Sequence, residues 1–118
     1  MRRKFIALLV IFMVLAFSED GFAYKINHYR EGEGVRAEAY RRNIRLIPIA
    51  QAQVITANRV GSRSITFTDI VFDNEAGKYP DSTDFRPVYT LNCVSVGRGY
   101  SVKVDAVTGQ VLSFRQVY

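Results

Sequence analysis

Nucleophilic catalysis needs an activated nucleophile beside a base, most often histidine. The chain holds one histidine, His28, and one cysteine, Cys93. His28 falls in a polar stretch without apolar periodicity, whereas Cys93 alternates with Tyr89 and Leu91 on the inward face of a predicted strand. A Cys–His pair would need the N-terminal stretch to fold back over the sheet. Cys93 therefore reads as a buried, inert thiol and His28 as an exposed imidazole. One histidine and one cysteine also fall short of the three or four nitrogen and sulfur ligands of a zinc site. A lone cysteine forms no internal disulfide.

The carboxylates give no catalytic pair. Asp69 and Asp73 share a face if one strand runs through both, yet at about 3.3 Å per residue they sit roughly 13 Å apart, too far for acid–base work across one bond. Asp73, Glu75, Asp81 and Asp84 fall in one loop, but their spacing matches no calcium loop and they read as solvated acids. Gly32-Glu33-Gly34-Val35-Arg36-Ala37 fits the dinucleotide fingerprint in form only: no apolar strand leads into it and no βαβ unit is predicted around it. Asp105 ends a strand, so its carboxylate can accept N–H groups from the turn that follows, where Gly109 supplies a positive φ. No catalytic, cofactor-binding or metal-binding residue is assigned. Surface recognition remains, with an exposed sheet edge able to accept an extended peptide as an extra strand. Phe67, Phe72, Tyr79, Phe85 and Tyr89 are the aromatic anchors for a partner or for the core.

Behind these residues stands an α+β pattern. Residues 24–46 form a basic leader that is partly helical: Tyr24 to Gly34 reads as loose, then Val35, Ala39, Tyr40, Ile44 and Ile47 recur at helical spacing. Pro48 to Arg59 is the main helix, closed by Gly61. Ser64 to Phe72, Pro87 to Val96, Tyr100 to Ala106 and a last run through Leu112 and Phe114 are rich in β-branched and aromatic residues and read as strands. In the third, Ser101, Lys103 and Asp105 are expected to face water. Turns fall at Gly97-Arg98-Gly99 and Val107-Thr108-Gly109, and Asp73 to Arg86 is an extended loop. The expected fold is a short helix or helices packed on a four-stranded antiparallel meander.

The N-terminus reads as an export signal. Arg2, Arg3 and Lys4 precede the apolar run Phe5 to Phe17, too short for a membrane span of roughly 20 residues, and Gly21-Phe22-Ala23 offers a small-residue cleavage site. Residues 1–23 are expected to be removed after Ala23. The alternative is a membrane-anchored structural or sensory domain that keeps residues 5–17 as its anchor. After cleavage the chain carries 13 basic and 9 acidic side chains. Lys25, Arg30, Arg36, Arg41, Arg42 and Arg45 all precede Leu46, and this lead-in suits contact with anionic envelope surfaces or acidic partners. Nucleic acid is a poor partner for an exported chain.

Three segments carry a family resemblance: Ile47-Pro48-Ile49-Ala50-Gln51-Ala52, Pro87-Val88-Tyr89-Thr90-Leu91, and Val104-Asp105-Ala106-Val107-Thr108-Gly109-Gln110-Val111-Leu112. Together they resemble the PepSY domain, over about Ile47 to Phe114 within a domain of residues 47–118. The resemblance implies a helix on an antiparallel sheet, no catalytic residues, and a place among exported bacterial proteins and the propeptides of thermolysin-like metallopeptidases. It implies binding or restraint of a peptidase or other envelope protein, in a secreted, periplasmic or cell-envelope location. The sequence departs from the family pattern at Thr56, where a second small alanine is usual, and in the length of the Asp73–Arg86 loop.

Overall fold

β-branched and aromatic runs in the C-terminal half form four strands that pair in chain order. The computed structural model describes residues 24–79 and 84–118. Its elements are β1 (Tyr29–Glu31), α1 (Val35–Arg41), α2 (Ile49–Val60), β2 (Thr66–Asn74), β3 (Pro87–Ser95), β4 (Arg98–Asp105) and β5 (Val111–Gln116). The sheet order is β1-β2-β3-β4-β5. The fold is α+β, and β2 to β5 form an antiparallel meander.

The sheet has five strands in mixed pairing rather than the expected four antiparallel ones. The stretch expected to be a loose leader supplies the fifth: β1 runs parallel to β2, with Tyr29 opposite Ile70 and Glu31 opposite Phe72. A bridge between Ile26 and Phe67 extends the pairing. All three β1 residues are exposed, so the strand has no alternating apolar face and leaves no period-two signal in the sequence. What holds it is backbone: the N–H groups of Phe67 and Ile70 donate to the carbonyls of Lys25 and His28, and those of Asn27 and Gly32 donate to the carbonyls of Phe67 and Phe72.

α1 is shorter than its periodicity predicts. Val35 and Ala39 are buried, but Tyr40 is 85% exposed. The helix stops because Asn43 takes φ 62, the Ile44 N–H returns to the Ala39 carbonyl and the Asn43 N–H to the Tyr40 carbonyl, a left-handed helix ending. α2 begins one residue after Pro48, which serves as its N-cap, and ends at Gly61. Its buried face is mostly small, with Ala50, Ala52, Thr56 and Ala57, and carries one long side chain, Gln53, whose Nε2 donates to the Tyr24 carbonyl at 2.9 Å. Such a face lets the helix lie close to the sheet. Thr56 is tolerated there because its hydroxyl donates to the Ala52 carbonyl at 2.9 Å, leaving no unsatisfied group.

The core is the inner sheet face: Phe67, Ile70, Phe72, Tyr89, Leu91, Cys93, Val102, Val104 and Ala106. A register shift between Phe67 and Asp69 puts Phe67 and Ile70 on one face although three residues separate them. The turn between β4 and β5 forms as expected: Asp105 Oδ1 accepts the N–H groups of Val107 and Thr108, and Gly109 sits at φ 78. The β3–β4 turn falls earlier than expected, on Val96 and Gly97, both at positive φ, while Arg98 and Gly99 already belong to β4. Val96 is 85% exposed with φ 53, a conformation its branched Cβ resists.

Two substitutions test these turns by thermal denaturation. Val96→Asn relieves left-handed strain and should add about 1 kcal/mol, roughly 4–8 °C in midpoint. Gly109→Val should cost about 1–3 kcal/mol, since φ 78 is unfavourable for valine and its Cβ would also meet Ile55 Cδ1 at 3.3 Å. Equal midpoints for wild type and Gly109→Val would remove the turn assignment.

Candidate functional site

The candidate nucleophile lies on β3 and the candidate base just before β1, one buried and the other exposed. Cys93 is 2% exposed, opposite Phe67 and Tyr100 on the inner face. Burial pushes its thiol up to about 11, whereas a nucleophile or metal ligand needs the thiolate. His28 is exposed beside β1, and only its carbonyl engages the sheet. Asp69 lies 3.9 Å from the Arg30 guanidinium, and Asp73 accepts the Asn74 N–H at 2.8 Å. Among the described residues no three His, Cys, Asp or Glu side chains gather in a metal-binding group. Asp81 lies outside the described residues.

The glycine fingerprint sits in a context the sequence does not predict. β1 leads into Gly32, α1 starts at Val35, and the chain returns as the parallel neighbour β2, so a parallel crossover does surround it. It still offers no phosphate cradle. A Cβ on Gly32 would collide with Asp73 Oδ1, so a carboxylate already fills that space. A cleft of about 400 Å³ beside α1 is lined by Glu33, Glu38, Arg41, Arg42, Asp84 and Phe85. Its charges are spent on one another: Arg41 and Arg42 pair with Glu38, and Arg42 Nη1 reaches Asp84 at 2.8 Å. The Arg42 guanidinium also lies 5.0 Å from the Phe85 ring centre and holds the Asp84 carboxyl below its ordinary value.

The loop after β2 proves to be tied down on the outer sheet face. Glu75 is 6% exposed; Lys103 Nζ donates to it at 2.7 Å and to Thr90 Oγ1 at 3.1 Å, and Tyr79 donates to its other oxygen. Arg86 Nη2 pairs with Asp105 Oδ2 at 3.1 Å beneath the Tyr79 ring. Asp105 is therefore buried, at 6% exposure, rather than facing water as its place in the alternation predicts. Alternation assigns the face correctly, but the loop covers that end of the face, which is why Val88 is fully buried too. Among the acids expected to be solvated, Glu75 is structural.

Of the two sheet edges, β1 closes one with three residues and β5 leaves the other open. At the end of β5 the Val117 N–H donates to the Gly99 carbonyl at 2.7 Å. Antiparallel alternation from that bond sets Arg115 and Ser113 in bonded pairs with Ser101 and Lys103, and turns the backbone groups of Phe114 and Gln116 outward. Phe114 packs on Tyr100 with ring centres 5.6 Å apart, and the Arg59 guanidinium stands 5.4 Å over the Phe114 ring. Tyr79 and Phe85 belong to the loop clasp, Phe67, Phe72 and Tyr89 to the core; Phe114 and Tyr100, which alternation marks only as the apolar faces of their strands, stand at the open edge.

The buried pair separates from a surface pair by mutation. Asp105→Asn keeps an acceptor for the turn but removes the buried carboxylate that faces Arg86 Nη2, and should cost about 3 kcal/mol in urea unfolding. Asp69→Asn, at an exposed pair, should cost under about 1 kcal/mol.

Cys93 gives a second test. Its folded pKa is raised, so its contribution to stability is present below the unfolded value of about 8.5 and is lost as pH rises through about 11. The urea midpoint should fall over that window more steeply in wild type than in Cys93→Ala, and native protein at pH 8 should label slowly with a thiol reagent. Fast native labelling would place the thiol on the outer face.

Comparison with family models, curated proteins and solved structures gives no match to this chain.

Proposed function

We propose that this is an exported, non-catalytic binding domain that captures an extended segment of a peptidase or another envelope protein along the open edge of β5. The observation that carries the reading is the edge itself: a six-residue strand with outward backbone groups, flanked by Phe114 and Tyr100 and covered by no element of the described chain. Main-chain pairing gives affinity with little demand on sequence, and the adjacent rings give it anchors.

Two features support the rest. Ring contact between Tyr24 and Phe67 at 5.7 Å, and the Gln53 Nε2 bond to the Tyr24 carbonyl at 2.9 Å, survive a cut after Ala23. The PepSY resemblance of the Ile47, Pro87 and Val104 segments falls on the N-cap of α2, the start of β3 and the β4–β5 turn, which are the points where a helix-on-meander domain needs particular residues. β1 and α1 are additions to that plan, and β1 removes the β2 edge from use as a docking strand. The described flanks of the loop act as a clasp through Glu75, Tyr79 and Arg86.

Intact mass of the protein recovered from the producing cell should show Tyr24 as its first residue, and calorimetry should show binding to an exported metallopeptidase or envelope protein without substrate turnover. A mass that retains residues 1–23 gives the anchored alternative, and reproducible turnover by the purified protein ends the non-catalytic reading.

A further inference from the structure

Charge is sorted across the sheet. Glu31, Asp69 and Asp73 lie on β1 and β2, Glu33 and Glu38 beside or on α1, and Glu75 and Asp84 in the loop that follows β2. α2, β3 and β5 carry no acid, and the one acid of β4, Asp105, is buried against Arg86. The cations divide differently. Arg30, Arg36, Arg41, Arg42, Arg86 and Lys103 have ion-pair partners, so most of the basic lead-in is internally neutralised. Lys25, Arg45, Arg63 and Lys78 have none among the described residues, and neither do Arg59, Arg98 and Arg115, the three that gather at the β5 side.

Their placement brackets the open edge. Arg59 stands over Phe114 on the helix side of the sheet. Arg115 is exposed on β5 one residue later, hence on the opposite face. Arg98 opens β4 and lines, with Val60 and Tyr100, a pocket of about 330 Å³ at the hairpin end.

We infer that the β5 edge takes an extended acidic segment of a partner polypeptide as an additional strand. The inference rests on the strand-pairing function proposed above and adds the sign of the partner and the amides that receive it. Backbone of the incoming segment pairs with the outward groups of Phe114 and Gln116. Side chains of a strand alternate, so carboxylates on one face meet Arg59 and Arg98 while those on the other meet Arg115. With no ion pair among the described residues, the three guanidiniums steer an anionic segment and penalise a cationic one. The same charges oppose pairing with a second copy, which would set Arg115 beside its equivalent.

The test titrates a fluorescent heptapeptide, Glu-Glu-Val-Glu-Glu-Val-Glu, which carries glutamate on both strand faces, with the purified protein, against the same peptide with lysine in place of each glutamate. The acidic peptide should bind saturably and the basic one should not. R59Q/R115Q should weaken binding about tenfold at low salt without moving the thermal midpoint, and R98Q should weaken it by less. On adding the acidic peptide, hydrogen exchange should slow at the Phe114 and Gln116 amides and stay unchanged at Ser113 and Arg115, which already face β4. Equal affinity for both peptides, or unchanged affinity in R59Q/R115Q, overturns the acidic preference; protection at Phe114 and Gln116 would then leave strand pairing standing. Binding of neither peptide, with no protection on β5, overturns both. Concentration-dependent dimerisation with the same amides protected would assign the edge to a second copy and overturn the inference.

Discussion

Tyr89 holds the sheet and the helical layer in one arrangement. Its side chain is fully buried, its ring stacks on Phe72 with centres 4.7 Å apart, and its hydroxyl donates to the Ile47 carbonyl at 2.8 Å. The Ile47 N–H is meanwhile bonded to the Ala106 carbonyl at 2.8 Å, so both polar groups of that residue are held by the sheet. The next residue, Pro48, has a fixed φ and starts α2. One aromatic residue on the central strand thus sets where the helix begins, and the small face of α2 then determines how closely it settles. A buried phenol without that carbonyl would carry an unpaired donor, so packing and hydrogen bonding are satisfied together or not at all.

Much of this was legible in the sequence. The alternation of Tyr89, Leu91 and Cys93, and of Val102 and Val104, places the inner face of β3 and β4, because those strands are half-covered and period two survives. The Asp105–Gly109 turn is legible because its chemistry is local: a carboxylate two and three residues before the amides it accepts, and a glycine where φ must be positive. β1 was not legible. Its residues are all exposed, and its partner lies far along the chain. Burial of Asp105 and Glu75 was hidden for a related reason: the cover comes from a polar loop whose composition reads as solvent-exposed, and the partners Arg86 and Lys103 are chosen by tertiary placement.

The candidate site divides along the same line. That no histidine or cysteine pair could assemble follows from counting, but which sheet edge stays open does not, since β1 decides it and β1 left no signal. Charge is similar. Thirteen basic side chains follow Ala23 in the sequence and look alike there, yet Arg36 is held by Glu31 and Arg42 by Glu38 and Asp84, whereas Arg59 leans on an aromatic ring with no carboxylate beside it. The concentration of cations before Leu46 is a feature of the chain. On the folded surface four of those six are paired, and cations without an ion pair also stand beyond the lead-in, three of them at the β5 side.

The parallel placement of β1 has a kinetic consequence. Each hairpin of the meander from β3 to β5 closes through a short turn, but Tyr29 must find Ile70 across roughly forty residues that include both helices. Closing that distance is repaid only once β2 is already in place as a template, so β1 is set to dock last and to detach first. In the interval the far side of β2 stands unguarded, and a chain that emerges N-terminus first must carry residues 24–34 unpaired until the rest has followed. A segment that emerges well before its partner strand is the one the fold uses to finish itself.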